Sequence, residues 1–338
     1  MRDCKHRLPA LPGADPALSK GMDDSALLTL AADLARRAGD TILAIRERGF
    51  ETLRKHDASP VTEADHAAEA LIVAGLRAAT PGIPVIAEEE VAAGIRHDIG
   101  REYWLVDPLD GTREFAALRD EFTVNIGLVR DGRAVLGAVG VPAYGEVFGG
   151  IVAPRGAAGG AAAGASGGAS GRAWKRTAAG ERAIRARTPP PGGLAVLASR
   201  HYAHDPRLDA FLRGRRVASV ENMGSALKFC RLAEGAGDLY PRFGRTMEWD
   251  TAAPQAVLEA AGGRVRCMDG GELLYGKPDW ANPPFICTGA DGDGPGGESV
   301  GPSDAGLSRE GGGVRPGEAS TRPRDGGVRP GGATMRPT

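Results

Sequence analysis

The chain has 338 residues, of which 42% are hydrophobic and 25% charged, with a formal net charge of −1. That is enough chain to bury a substantial core in one large or two modest domains, and so neutral a balance gives no electrostatic reason to expect nucleic acid or a membrane surface as partner. Cys4, Cys230, Cys267 and Cys287 are far apart, with no Cys-x-x-Cys pair or flanking histidine pair, which reads against a zinc site or a disulfide framework and for reduced thiols.

Residues 1–22 mix proline, glycine and charge without period, so a disordered N-terminal extension is expected, without the apolar stretch of a secretory signal. No run of about 18 apolar residues occurs, so no membrane span is expected and a cytoplasmic location is. Asp23, Asp24 and Ser25 offer N-cap chemistry, and Leu27, Leu30, Leu34, Ala38, Ile42 and Ile45 recur at the spacing of an amphipathic helix. A second helix is expected over about 63–79, closed by Thr80-Pro81-Gly82. Val85-Ile86 leads as a short strand into Glu88, Glu89 and Glu90, and Tyr103-Trp104-Leu105-Val106 runs as another into Asp107. Phe122 to Val129, an Asp131-Gly132 turn and Ala134 to Val141 read as a β-hairpin, with a further strand between Tyr144 and Val152.

Residues 155–171 are almost all glycine, alanine and serine, the composition of a flexible insertion. Beyond it, Leu194 to Leu197 reads as a strand and Ser225 to Glu234 as a helix. Another helix runs from Asp250 through Val257 to the stop at Gly262-Gly263. From residue 290 onward the chain lacks aromatic residues and repeats Gly-Gly-Val-Arg-Pro-Gly, which describes a disordered, solvated Gly/Pro/Arg-rich tail.

The chemistry concentrates in Asp107-Pro108-Leu109-Asp110-Gly111-Thr112. Two carboxylates three residues apart across a turn can point into one small volume, and like charges that close are costly unless a cation lies between them. Oxygen ligands without nearby His or Cys favour Mg²⁺ over zinc. Gly111 allows close backbone approach to an anion and Thr112 adds a hydroxyl, the makings of a phosphate site. Glu88 after one strand and Asp250 at the start of a distant helix are further acids that folding can bring to the same place.

Together with the upstream Glu88-Glu89 and the downstream Trp249-Asp250-Thr251-Ala252-Ala253, these stretches resemble the signatures of the inositol monophosphatase superfamily of magnesium-dependent phosphatases. Ser59-Pro60-Val61-Thr62-Glu63-Ala64-Asp65, Arg113-Glu114-Phe115 and Glu121-Phe122-Thr123-Val124-Asn125-Ile126 resemble its CysQ branch, the 3'(2'),5'-bisphosphate nucleotidases. So do Gly224-Ser225-Ala226-Leu227-Lys228-Phe229-Cys230 and Asp238-Leu239-Tyr240-Pro241-Arg242. The resemblance covers about 25–288. It implies an α/β fold, the layered αβαβα sugar-phosphatase arrangement, with a metal-binding half over 23–185 that contains the insertion and a smaller α/β half over 186–289.

The resemblance also implies the roles. Glu88, Asp107, Asp110 and Asp250, with the Leu109 carbonyl, would hold two or more Mg²⁺ ions. Gly111 and Thr112 would bind the phosphate under attack by metal-activated water, and Asp65 would pair with Thr112 and help orient that water, so that Asp65, Glu88 and Thr112 form the implied catalytic set. Glu88, Leu109, Asp110, Gly224, Lys228, Arg242 and Asp250 would line the substrate, with a second phosphate held near Lys228 and Arg242. The implied reaction removes the 3'-phosphate of 3'-phosphoadenosine 5'-phosphate, a small phosphorylated nucleotide, to give AMP. Other readings are an inositol or other sugar monophosphatase, a non-catalytic nucleotide sensor, and an interaction protein working through its tail. The branch usually shows Ser-Arg-Ser-His where this chain has Ser199-Arg200-His201-Tyr202, which leaves a His201 contact with substrate open. Lys55 and Asp57 are expected on a loop near the metals.

Overall fold

The structure, a computed structural model, describes residues 22–54, 60–154, 171–203 and 205–290. The expected N-terminal extension but for Met22, the insertion but for Gly171, the tail after Ala290, and Lys55 and Asp57 lie outside the described residues.

The first elements follow the sequence pattern. Asp23 accepts from Ala26 N at 2.8 Å and opens α1 (Asp24–Arg48), whose periodic leucines and isoleucines are buried. After a short hairpin of β1 (Thr52–Arg54) and β2 (Pro60–Thr62), Thr62 caps α2 (Glu63–Ala79). β3 (Val85–Ala87) then delivers Glu88 as the first residue of α3 (Glu88–Ala92). β4 (Glu102–Asp110) was expected to stop at Asp107. Instead it continues through Pro108 to Asp110, with an irregular register in its pairing between those aspartates. A bulge is where a strand tolerates a proline, since no ladder N–H is required there. α4 (Thr112–Ala116) follows at once.

The expected hairpin is β5 (Thr123–Arg130) and β6 (Arg133–Val141), and the next strand is β7 (Glu146–Ile151). β8 (Arg172–Thr177) and β9 (Gly180–Ala183) complete a seven-stranded sheet in the order β3 to β9, parallel only between β3 and β4. β10 (Leu194–Ser199), α5 (Pro206–Leu212), β11 (Val217–Met223), α6 (Leu227–Ala233), β12 (Leu239–Arg242), α7 (Glu248–Ala260), β13 (Arg264–Cys267) and β14 (Phe285–Thr288) follow. Their strands form a second sheet ordered β11-β10-β12-β14-β13. α1 and α2 pack together on one face of the large sheet. α7 lies on its other face, beside α6, and both helices also touch the second sheet. The polar strands β8, β9 and β11 are absent from the pattern reading because they carry no apolar alternation; β11 is an edge strand exposed over most of its length.

A stripe of glycines sets how closely α7 seats. Gly127, Gly137 and Gly150 face one another across β5, β6 and β7. A Cβ on Gly137 would meet Ala253 O at 2.3 Å, one on Gly127 would meet Ala253 N at 2.6 Å, and one on Gly150 would meet Val257 Cα at 2.7 Å. α7 answers with buried Ala252, Ala253, Ala256 and Ala260, so backbone packs nearly on backbone.

Among the described cysteines, Cys230 and Cys287 are free and buried. Among the described residues no helix is long and apolar enough to cross a membrane.

Gly137→Ala is expected to destabilise the protein by about 1–3 kcal/mol, because the methyl displaces α7. Gly192→Ala, where a Cβ meets nothing within 4 Å, is expected to be nearly neutral in the same urea titration.

Candidate functional site

A cleft of about 430 Å³ opens where the C-terminal end of β4 meets the starts of α6 and α7. Glu88, Asp107, Leu109, Asp110, Gly111, Thr112, Gly224, Lys228, Arg242 and Asp250 all line it, as does His201. Of the predicted site residues only Asp65 lies behind the wall, 2% exposed.

Asp65 is the third residue of α2, and its Oδ2 accepts from both Thr62 N and Thr62 Oγ1 at 2.7 Å. This reciprocal cap leaves its Oδ1 for Thr112 Oγ1, which donates across 3.0 Å. The Leu109 carbonyl is also 3.0 Å from the Thr112 hydroxyl, whose single proton serves one acceptor at a time. Gly111 enters α4 with φ 94°, and a Cβ there would press on Glu121 O at 3.1 Å and Ser225 Cβ at 3.3 Å. Left-handed backbone under two close neighbours leaves room only for glycine.

The aspartates are each tied to a backbone N–H. Asp107 Oδ1 accepts from Leu109 N at 3.0 Å, Asp110 Oδ2 from Ala226 N at 2.5 Å, and Asp250 Oδ2 from Met247 N at 2.8 Å. Burial, then the charges of Glu88, Asp110 and Asp250, push Asp107 well above the carboxylate range. Asp250 is raised by burial and then by Asp110 and Glu88, and Asp110 is pushed up to about 6 by burial. Asp65 too is raised, chiefly by burial.

Such a set of mutually repelling carboxylates calls for a positive charge. Among the described residues no three His, Cys, Asp or Glu side chains meet closely enough, as placed, to cage an ion. The donors nonetheless fit one: they are hard oxygens, the three aspartates each spend one contact on the backbone, and their ionised forms are strained without a cation.

The second sheet supplies the cationic wall. Lys228 is 2% exposed, and its Nζ donates to Met223 O at 3.0 Å and Ser225 O at 2.6 Å. Burial and then the nearby Arg242 pull it down to about 7. Its first contacts thus hold the Gly224–Ala226 turn. Arg242 stacks over the Tyr202 ring at 4.8 Å and donates from Nη2 to Arg245 O, while its buried Nε has no partner among the described residues. The exposed His201 lies 2.6 Å from Arg113 Nη1 at the cleft mouth.

Several positioning residues had no role assigned from sequence. Glu69, four residues after Asp65, accepts from Glu89 N at 2.7 Å and Glu90 N at 3.0 Å, fixing the helix that begins with Glu88. Glu248, fully buried, accepts from Gly276 N and Lys277 N at 2.8 Å and pins the start of α7. Glu121 ties Gly224 N at 2.8 Å to the Arg200 guanidinium. The signal for Glu69 was present in its i,i+4 spacing from Asp65; Glu248 and Glu121 bond to segments far away in sequence.

With this geometry, comparison with known proteins is informative. The profile of the inositol monophosphatase family matches residues 23–289. The chain is 39% identical over 265 residues to the 3'(2'),5'-bisphosphate nucleotidase CysQ of Salmonella typhimurium, covering 78% of this chain and 99% of that protein. It is 38% identical over 262 residues to the Escherichia coli protein of the same name, covering 77% and 98%. The crystal structure of CysQ from Bacteroides thetaiotaomicron, a bacterial member of the inositol monophosphatase family, superposes with a TM-score of 0.61 at 29% identity, covering 79% of this chain and 98% of that one. The expected α/β class and the expected resemblance both hold.

Glu69→Ala is expected to cost about 2–3 kcal/mol, since two N–H groups at the head of α3 lose their acceptor. Denaturant titration of the variant beside the parent protein measures it; an unchanged midpoint would remove Glu69 from the support of Glu88.

Proposed function

The chain belongs to the inositol monophosphatase family, and from that premise we propose that it is a metal-dependent phosphoric monoester hydrolase of the 3'(2'),5'-bisphosphate nucleotidase type. In this reading it removes the 3'-phosphate of 3'-phosphoadenosine 5'-phosphate, leaving AMP and inorganic phosphate. The observation that carries the reading is the convergence on one cleft of Glu88, Asp107, Asp110 and Asp250 with the Asp65–Thr112 pair.

Glu88, Asp107, Asp110 and Asp250, with the Leu109 carbonyl, are the residues that would hold Mg²⁺. When bound, the ions supply Lewis acidity, lowering the pKa of water and offsetting charge on the phosphoryl oxygens. The chain's own groups do the rest. Asp65 Oδ1 accepts a hydrogen bond from the Thr112 hydroxyl, which leaves the Thr112 oxygen lone pairs free to accept from an attacking water. Gly111 keeps the wall low enough for a phosphate to approach the backbone. On the opposite side, the Arg242 guanidinium in the cleft wall is a cationic donor for a second phosphate, which favours a bisphosphate over a monophosphate. The identity of 38–39% with proteins named CysQ supports the same substrate class.

Phosphate release from 3'-phosphoadenosine 5'-phosphate and from inositol 1-phosphate, each with Mg²⁺ and with chelator, tests the reading. Strong Mg²⁺-dependent preference for the nucleotide is expected; preference for inositol phosphate keeps the hydrolase and removes the nucleotide assignment. No release from either by a folded protein would favour a nucleotide sensor.

Asp250→Asn and Thr112→Val are each expected to lower kcat by about 100-fold or more. Arg242→Ala is expected to raise KM for the bisphosphate about 10-fold, while turnover of a nucleoside monophosphate hardly changes. Steady-state kinetics on the two substrates separates the effects.

A further inference from the structure

Asn125 lies in the middle of β5, directly opposite Asp107 on β4 and Val139 on β6. Its neighbours Val124 and Ile126 belong to the core beneath α1 and α2. Strand alternation therefore turns Asn125 to the other face, the one that Gly127 presents to α7. The side chain is 0% exposed, and neither its amide nitrogen nor its amide oxygen has a hydrogen-bond partner among the described residues. A fully buried amide with both ends unpaired is costly and rare in a native fold. Opposed residues on an antiparallel pair carry their Cβ atoms about 5 Å apart, which puts the Asp107 carboxylate within reach of this amide, directly or through one water. One oxygen of that carboxylate is already held by Leu109 N.

We propose that Asn125 is a positioning residue of the metal centre. Its amide N–H donates to the Asp107 carboxylate, directly or through one ordered water, and holds it in the orientation a bound cation requires. The inference rests on the metal-centre reading above. A group that orients a ligand from behind is expected to change metal affinity by about 10–100-fold when removed. The sequence placed Asn125 in a stretch that resembles the family but gave it no role, because its partner is revealed only by the sheet register.

The test compares two isosteres suited to a strand, Asn125→Val and Asn125→Thr, which differ by one hydroxyl. Mg²⁺ is titrated calorimetrically into metal-stripped full-length protein without substrate, and thermal melting is recorded without metal. For the valine variant, Mg²⁺ affinity is expected to fall by about 10-fold or more. Its metal-free melting temperature should equal or exceed that of the parent, because an unpaired polar group has gone. The threonine variant, which keeps a donor, is expected to retain affinity within about threefold of the parent.

Three results would overturn the inference: parental Mg²⁺ affinity in the valine variant, a valine variant that melts lower without metal or fails to fold, or no recovery with threonine. The second would mark Asn125 as a structural residue with core partners. A parent protein that takes up no Mg²⁺ would instead overturn the metal-centre reading itself, and this inference with it.

Discussion

The site depends on how closely one helix can lie on one sheet. α7 carries Asp250, and its distance from β4, which carries Asp107 and Asp110, is set by glycines on β5, β6 and β7 facing alanines on the helix. Each missing Cβ lets the backbones approach by roughly a methyl diameter, and a packed interior transmits such displacements because it has few voids to absorb them. An acid at the start of α7 can serve the same cleft as acids on β4 only while that stripe stays empty of side chains. The buried Glu248 adds a second restraint by holding the loop at Gly276 and Lys277 against the first turn of the helix.

Anchors of a similar kind recur around the cleft, and they share a chemistry. Glu69 holds the N–H groups of α3, Glu121 holds Gly224, and Asp110 holds Ala226. A carboxylate accepting backbone N–H bonds is among the stronger neutral-to-charged contacts available, and it fixes a segment without adding bulk. The consequence is a high local density of negative charge. Lys228 and Arg242 offset part of it, but Lys228 spends its first hydrogen bonds on the carbonyls of Met223 and Ser225. Asp107 and Asp250 remain raised well above the carboxylate range, by burial first and by the neighbouring acids second, and a divalent cation between them would offset both.

Much of this was legible in the chain. Periodicity places α1 and α2, the Asp131-Gly132 turn places the β5–β6 hairpin, and acids at strand ends and helix starts mark the cleft. Local chemistry determines those features. What stayed hidden is non-local. β9 and β11 are edge strands and β8 lies next to an edge, and their pairing is set by their neighbours, not by their own pattern. The strand run-on from Asp107 to Asp110 needed the register with Thr123 to be seen. Lys228 looked like a phosphate ligand from its place in the motif, whereas its depth and its two carbonyl partners give it a structural duty first.

The division of labour between the sheets follows from these contacts. The acids belong to β4, to the helix after β3 and to α7, elements packed on the large sheet or fixed by buried carboxylates. The cationic and aromatic groups at the mouth, Arg242, His201 and Tyr202, sit on β12 and on the loop after β10 in the second sheet. The two sets meet at the Gly224–Ala226 turn, where Asp110 and Glu121 take backbone N–H groups and Glu121 also holds the Arg200 guanidinium from the loop after β10. The backbone part of that join is indifferent to side-chain identity on the far side, whereas the Arg200–Glu121 ion pair is not. The acids thus keep their geometry through the large sheet and the turn, while the exposed His201 at the mouth takes no part in holding them.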